Sequence, residues 1–191
     1  ELPQTDALFN TLGSTRGAAG SAQAFIDVEV GHTKRSLALA ERAGIKYVGA
    51  VTAEGANSDI SIPSFLTNGG EDSWLMTTGI IHPLLYIRTL GQKSDIISSS
   101  SIPSRSVFRP GMLNRLMGDR FWENLVNKLN IGLSVNTLAK AMIKDAETSL
   151  LDTAGESVGR KQCTEKEGTR FYTGNSSIEA YIQDESETCR D

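Results

Sequence analysis

Tyr47-Val48-Gly49-Ala50-Val51-Thr52 is a run of apolar and small residues that follows the helix-like segment Phe25 to Ala43 and its stop signal, Gly44. A short apolar run after a glycine-closed helix is the pattern of a strand buried on both faces of a parallel sheet. In open α/β sheets ligands sit beyond the carboxyl ends of the strands, so Thr52-Ala53-Glu54-Gly55 is the first place to look for chemistry.

Upstream of this run, Ala7 to Leu12 is a second strand candidate that runs into the loop Gly13-Ser14-Thr15-Arg16-Gly17, rich in small and flexible residues. The helix between the two strands carries Ile26, Val30, Leu37 and Ala40 as its apolar stripe. Downstream, residues 57–83 hold Pro63, Asn68-Gly69-Gly70 and Gly79 as breakers and read as a long inserted loop. Leu84 to Ile97 is helical in pattern, and Ser106 to Arg109 is a third strand stopped by Pro110-Gly111. Helices are expected over Asp119 to Leu129 and from Ser134 or Asn136 to Ala146, the second striped by Val135, Leu138, Met142 and Ile143. Residues 150–168 read as a polar loop, Arg170 to Thr173 as a strand, and Ser176 with Glu179 as the capping box of a last helix.

A chain of 191 residues with 39% apolar content is one domain, residues 1–191, with a real core. No apolar run approaches the roughly 20 residues of a membrane helix, and a formal charge of −4 without a basic stripe argues against nucleic acid. The two cysteines, Cys163 and Cys189, allow at most one late disulfide, and His32 and His82 have no companions at metal-ligand spacing. The first residue is Glu1, so the compartment stays open and an organelle reached after removal of a transit peptide fits.

Three stretches together carry a family resemblance: Asp6 to Phe25, Ala43 to Ala56 with Thr52-Ala-Glu-Gly-Ala56, and Ser106-Val-Phe-Arg-Pro-Gly111. In order and spacing they resemble the atypical short-chain dehydrogenase/reductases related to the Tat-interacting-protein oxidoreductase. The resemblance implies an NADP-binding Rossmann fold with a glycine-rich turn after its first strand and a Tyr-x-x-x-Lys pair. It also implies an N-terminal βαβ phosphate-binding unit ahead of Asp6, where only Glu1 to Thr5 stand here. The expected fold is therefore α/β, an incomplete Rossmann-like parallel sheet with flanking helices that lacks this unit. No dinucleotide is expected to be cradled by this chain alone, and NADP is expected if the missing half exists.

Counting back from Arg109-Pro110-Gly111, the family tyrosine falls on Tyr86 and its lysine on Leu90. Such a lysine lowers the phenol pKa with a neighbouring positive charge, which leucine cannot do. The resemblance assigns Thr52 the hydroxyl that polarises a substrate carbonyl. It assigns Gly13, Ser14, Thr15, Pro110 and Gly111 to the cofactor-facing loops, while Arg109 could meet an anion. Two readings follow. One is a catalytically degenerate reductase-fold protein serving as an accessory or scaffold subunit, with other protein chains covering the edge strand Ala7 to Leu12. The other is an NAD(P)H-dependent oxidoreductase whose N-terminal cofactor-binding half lies upstream of Glu1.

Overall fold

Parallel pairing builds the centre of the molecule, in a computed structural model that describes residues 5–14, 16–61, 81–114, 132–152 and 163–183. Strands β1 (Ala7–Asn10), β2 (Tyr47–Val51), β3 (Ser104–Arg109) and β7 (Thr169–Thr173) pair in that order, all parallel, and β6 (Thr164–Lys166) closes one side antiparallel to β7. Two further two-residue strands, β4 (Leu113–Asn114) and β5 (Leu133–Ser134), form a small parallel ladder of their own. This is the mixed α/β, incomplete Rossmann-like sheet that the alternation of strand and helix signals leads one to expect.

The helices are α1 (Arg16–Ala19), α2 (Ala22–Ile26), α3 (His32–Arg42), α4 (Ile81–Ser98), α5 (Val135–Asp152) and α6 (Asn175–Gln183). A π-helical turn, Asp27–Gly31, joins α2 to α3. Strand alternation sorts the core into two layers. Val48, Ala50 and Val107 pack with Leu37, Ala40 and Ile97 from α3 and α4 on one face. Phe108 and Tyr172 pack with Met142 of α5 and with Ile178 and Tyr181 of α6 on the other. Each large apolar side chain buried in this way contributes about 1.5–3 kcal/mol.

Several boundaries differ from expectation for identifiable reasons. β1 ends at Asn10 rather than Leu12, because the Leu12 carbonyl is taken by Lys93 Nζ at 2.6 Å instead of a ladder partner. The second helix begins three residues before Phe25, where Ser21 caps it by accepting from the Ala24 amide at 3.0 Å. α4 starts at Ile81, inside the loop expected over 57–83, and Pro83 is tolerated in its first turn. The polar stretch 150–168 is not all loop: residues 150–152 finish α5, and β6 turns into β7 through Glu167 and Gly168 at φ 53° and 69°. Ser176 is not the last helix's cap, since that helix already begins at Asn175. Residues 62–80, the helix expected over 119–129, and Cys189 lie outside the described residues.

Loop 55–59 crosses α4 at Gly91, where the backbones nearly touch. A Cβ on Gly91 would sit 2.8 Å from Asn57 Cα and closer still to Asn57 C and Ser58 N. The contact is backbone to backbone, so no side chain can swing aside. Gly91→Ala is expected to cost about 2–3 kcal/mol, read as a fall in the urea midpoint at unchanged m. A loss below about 0.5 kcal/mol would show that the loop moves freely.

On the far side of β1 no strand follows among the described residues. Phe9 is 41% and Leu12 53% exposed beside this edge. An open, apolar parallel edge is a surface that folded proteins ordinarily cover.

Candidate functional site

The carboxyl ends of β2, β3 and β7 are laced together by backbone bonds. Thr52 N donates to Phe108 O, Glu54 N to Pro110 O and Gly174 N to Arg109 O, each at 2.9 Å. The turn after β3 is held by Asn175, whose Oδ1 accepts from Gly111 N at 3.0 Å and whose Nδ2 donates to Met112 O at 3.3 Å. Pro110 and Gly111 therefore sit in a fixed turn, beside the Glu54 carboxylate.

Three buried polar atoms at this rim have no hydrogen-bond partner among the described residues: Thr52 Oγ1 at the end of β2, Asn10 Oδ1 at the end of β1 and Arg109 Nε at the end of β3. Asn10 is anchored through its other amide atom, Nδ2, which donates to Thr33 Oγ1 at 3.0 Å, and that hydroxyl donates to Glu29 O at 2.6 Å. Buried acceptors left unpaired carry a desolvation cost, which makes the rim a place where a ligand donor would be welcome.

The loop after β1 is fastened by a buried ion pair. Glu29, on the π-helical turn, accepts from Ser14 N through Oε1 at 2.7 Å and pairs with Lys93 through Oε2 at 3.1 Å, with the two side chains 2% and 1% exposed. Lys93 Nζ also donates to the Leu12 carbonyl. Burial pulls the Lys93 pKa down and the Glu29 carboxylate pushes it partly back. Gly13 lies against this carboxylate, and a Cβ there would stand 3.4 Å from Glu29 Oε1. Thr15 lies outside the described residues.

Tyr86 stacks on Phe25 of α2, with ring centroids 5.8 Å apart and planes inclined by 22°. One turn further along α4, Leu90 is 3% exposed and apolar, so no cation stands at that position. Lys93 cannot take its place, because its ammonium is already committed to Glu29 and Leu12.

A cavity of about 950 Å³ lies on another flank of α4, between that helix, loop 55–59 and the β6–β7 hairpin. Arg109 lines it, whereas Tyr86, Thr52, Gly13 and Ser14 do not. The Arg109 guanidinium lies 4.5 Å from the Phe171 ring centroid. Among the described residues no group of three potential metal ligands occurs, and no helix is long and apolar enough to cross a membrane.

Asn10, Glu29, Lys93 and the network around Asp145 were not singled out by sequence reasoning. Glu29 and Asp145 interrupt otherwise apolar helix stripes, the first between Phe25 and Leu37 and the second between Met142 and Ala146. A charged residue in a buried stripe is the signal that marks such pairs.

The chain is 28% identical over 134 residues to Protein FMP52-1, mitochondrial, of Scheffersomyces stipitis, a match covering 70% of this chain and 48% of that protein. It is 27% identical over 118 residues to Protein FMP52, mitochondrial, of Lodderomyces elongisporus, covering 62% of this chain and 39% of that protein. The chain thus spans about half the length, or less, of the curated relatives it matches. No family model matches it. These relatives overturn the resemblance to the Tat-interacting-protein oxidoreductases; of its motifs, Ala7–Asn10 is strand β1, and Arg109-Pro110-Gly111 is the end of β3 with the turn after it.

Proposed function

We propose that this chain is a short-chain-dehydrogenase-like protein of the mitochondrion that has lost proton-transfer catalysis and serves as an accessory subunit, its β1 edge covered by another protein chain. The observation that carries this reading is Leu90, buried one turn after Tyr86 where a proton-relay lysine would be needed. Leucine supplies neither the positive charge by which such a lysine lowers a phenol pKa nor a proton to relay. The mitochondrial placement is taken from the names of the relatives.

NADP, which the fold suggests, fits this chain only in part. Asn10 Oδ1 and Thr52 Oγ1 could accept from a carboxamide, but no glycine-rich turn opening a helix N-terminus is available for a pyrophosphate in this sequence. No dinucleotide is therefore assigned to this chain alone, and no other metal or cofactor is assigned. Those same two unpaired acceptors favour a second reading, an NAD(P)H-dependent oxidoreductase whose remaining half completes the site.

The two readings separate on NADPH consumption, with a panel of aldehydes and ketones, by this chain joined to its remaining half. The accessory reading expects no turnover above background and no change in Tyr86→Phe. Turnover that falls at least about a hundredfold in Tyr86→Phe would establish the oxidoreductase and overturn it.

A further inference from the structure

Arg109 closes β3 with its guanidinium half-buried over Phe171, and its Nε is buried with no hydrogen-bond partner among the described residues. An arginine donor taken from water and left unpaired is costly, and the planar fork of a guanidinium matches the two oxygens of a carboxylate. We propose that the cavity between α4 and the β6–β7 hairpin binds a small organic monocarboxylate, with Arg109 as its anchor. Tyr86 and Thr52 are not part of its lining, and the site does not depend on the function proposed above.

The lining decides the class of anion. Among the described residues, the lining holds one other cation, Lys166, and three carboxylates, Asp59, Asp95 and Glu167. A phosphate dianion would meet that negative rim at twice the charge of a carboxylate, so the monoanion is favoured. Burial draws the Arg109 pKa down and the Asp95 charge, on the same cavity lining, partly offsets it. The hydroxyls of Ser58 and Ser98 supply further polar contacts, and the volume of about 950 Å³ admits a ligand of metabolite size.

The test is calorimetric titration of the purified full chain with sodium butyrate and, separately, inorganic phosphate, at constant ionic strength. Saturable butyrate binding is expected, weakened at least about tenfold by Arg109→Leu and tightened several-fold by Asp95→Asn, which removes the competing carboxylate. If Arg109→Leu does not fold, the exposed Asp95→Asn change decides alone: tighter binding supports the site and unchanged affinity overturns it. Absence of saturable butyrate binding, or phosphate binding at least as tightly, also overturns it.

Discussion

Asp145→Ala is expected to destabilise the protein by about 3–5 kcal/mol, enough to unfold much of it at growth temperature. Asp145 is fully buried on α5, and its carboxylate is the hub of the sheet's second face. Oδ2 accepts from Tyr47 OH at 2.8 Å and from Ser106 Oγ. Oδ1 accepts from Tyr172 OH at 2.6 Å and faces Arg170 Nε at 3.3 Å. One carboxylate thus bolts α5 to β2, β3 and β7. Its removal takes the acceptor shared by the Tyr47 and Tyr172 hydroxyls and the ion-pair partner of Arg170, which keeps Ser106 Oγ and Ser149 Oγ as acceptors, so the cost is that of several buried polar groups rather than of one bond. Urea unfolding measures it, and a loss below about 1 kcal/mol would refute the hub. The same network sets an alkaline limit. Burial, then the Asp145 charge, pushes the Tyr47 and Tyr172 pKa values up. The unfolded tyrosines ionise near pH 10 while the folded ones stay neutral. Their contribution is therefore complete below pH 10, and above it the folding constant falls by up to about tenfold per pH unit for each tyrosine.

Lys93→Met is the second large effect, again about 3–5 kcal/mol, because it strands the Glu29 carboxylate in the interior with only the Ser14 amide as a described partner. The double variant Glu29→Gln, Lys93→Met removes both charges together and is expected to lie closer to the wild type than Lys93→Met alone. A double-mutant cycle reads the coupling, and strictly additive losses would mean that the pair does not act as a unit. Because the pair holds Leu12 and Ser14, hydrogen exchange in that loop is expected to quicken in Lys93→Met.

The sheet was legible in the sequence because a parallel strand buried on both faces is written as a continuous apolar run. Tyr47 to Val51 emerges within one residue of its expected end, and Ser106 to Arg109 lies inside the longer β3. The helix faces were less legible. The stripe read as Ile26, Val30, Leu37 and Ala40 is buried instead through Phe25, Glu29, Thr33, Leu37 and Ala40. The π-helical turn at Asp27–Gly31 inserts a residue into the helical repeat, and an ion pair, not apolar burial, pays for Glu29. On α5 the expected Val135 and Ile143 are exposed, while Asp145 and Ser149 are inside. Hydropathy has no means of anticipating a buried charge whose partners come from strands distant in sequence. Thr52 and the turn at Pro110-Gly111 stand at the carboxyl ends of β2 and β3. Asn10 and the 950 Å³ cavity depend on which side chains remain unpaired after folding, a property that no linear motif records.

The accessory-subunit account, carried by Leu90, expects a partner chain along β1, and amide hydrogen exchange across Ala7–Asn10 tests that expectation directly, in the assembly isolated intact and again in the separated chain. The account expects the β1 amides that do not bond β2 to be protected at least about a hundredfold more strongly in the assembly, with that protection lost on separation. Equal protection in the separated chain, or rapid exchange in both, would contradict it.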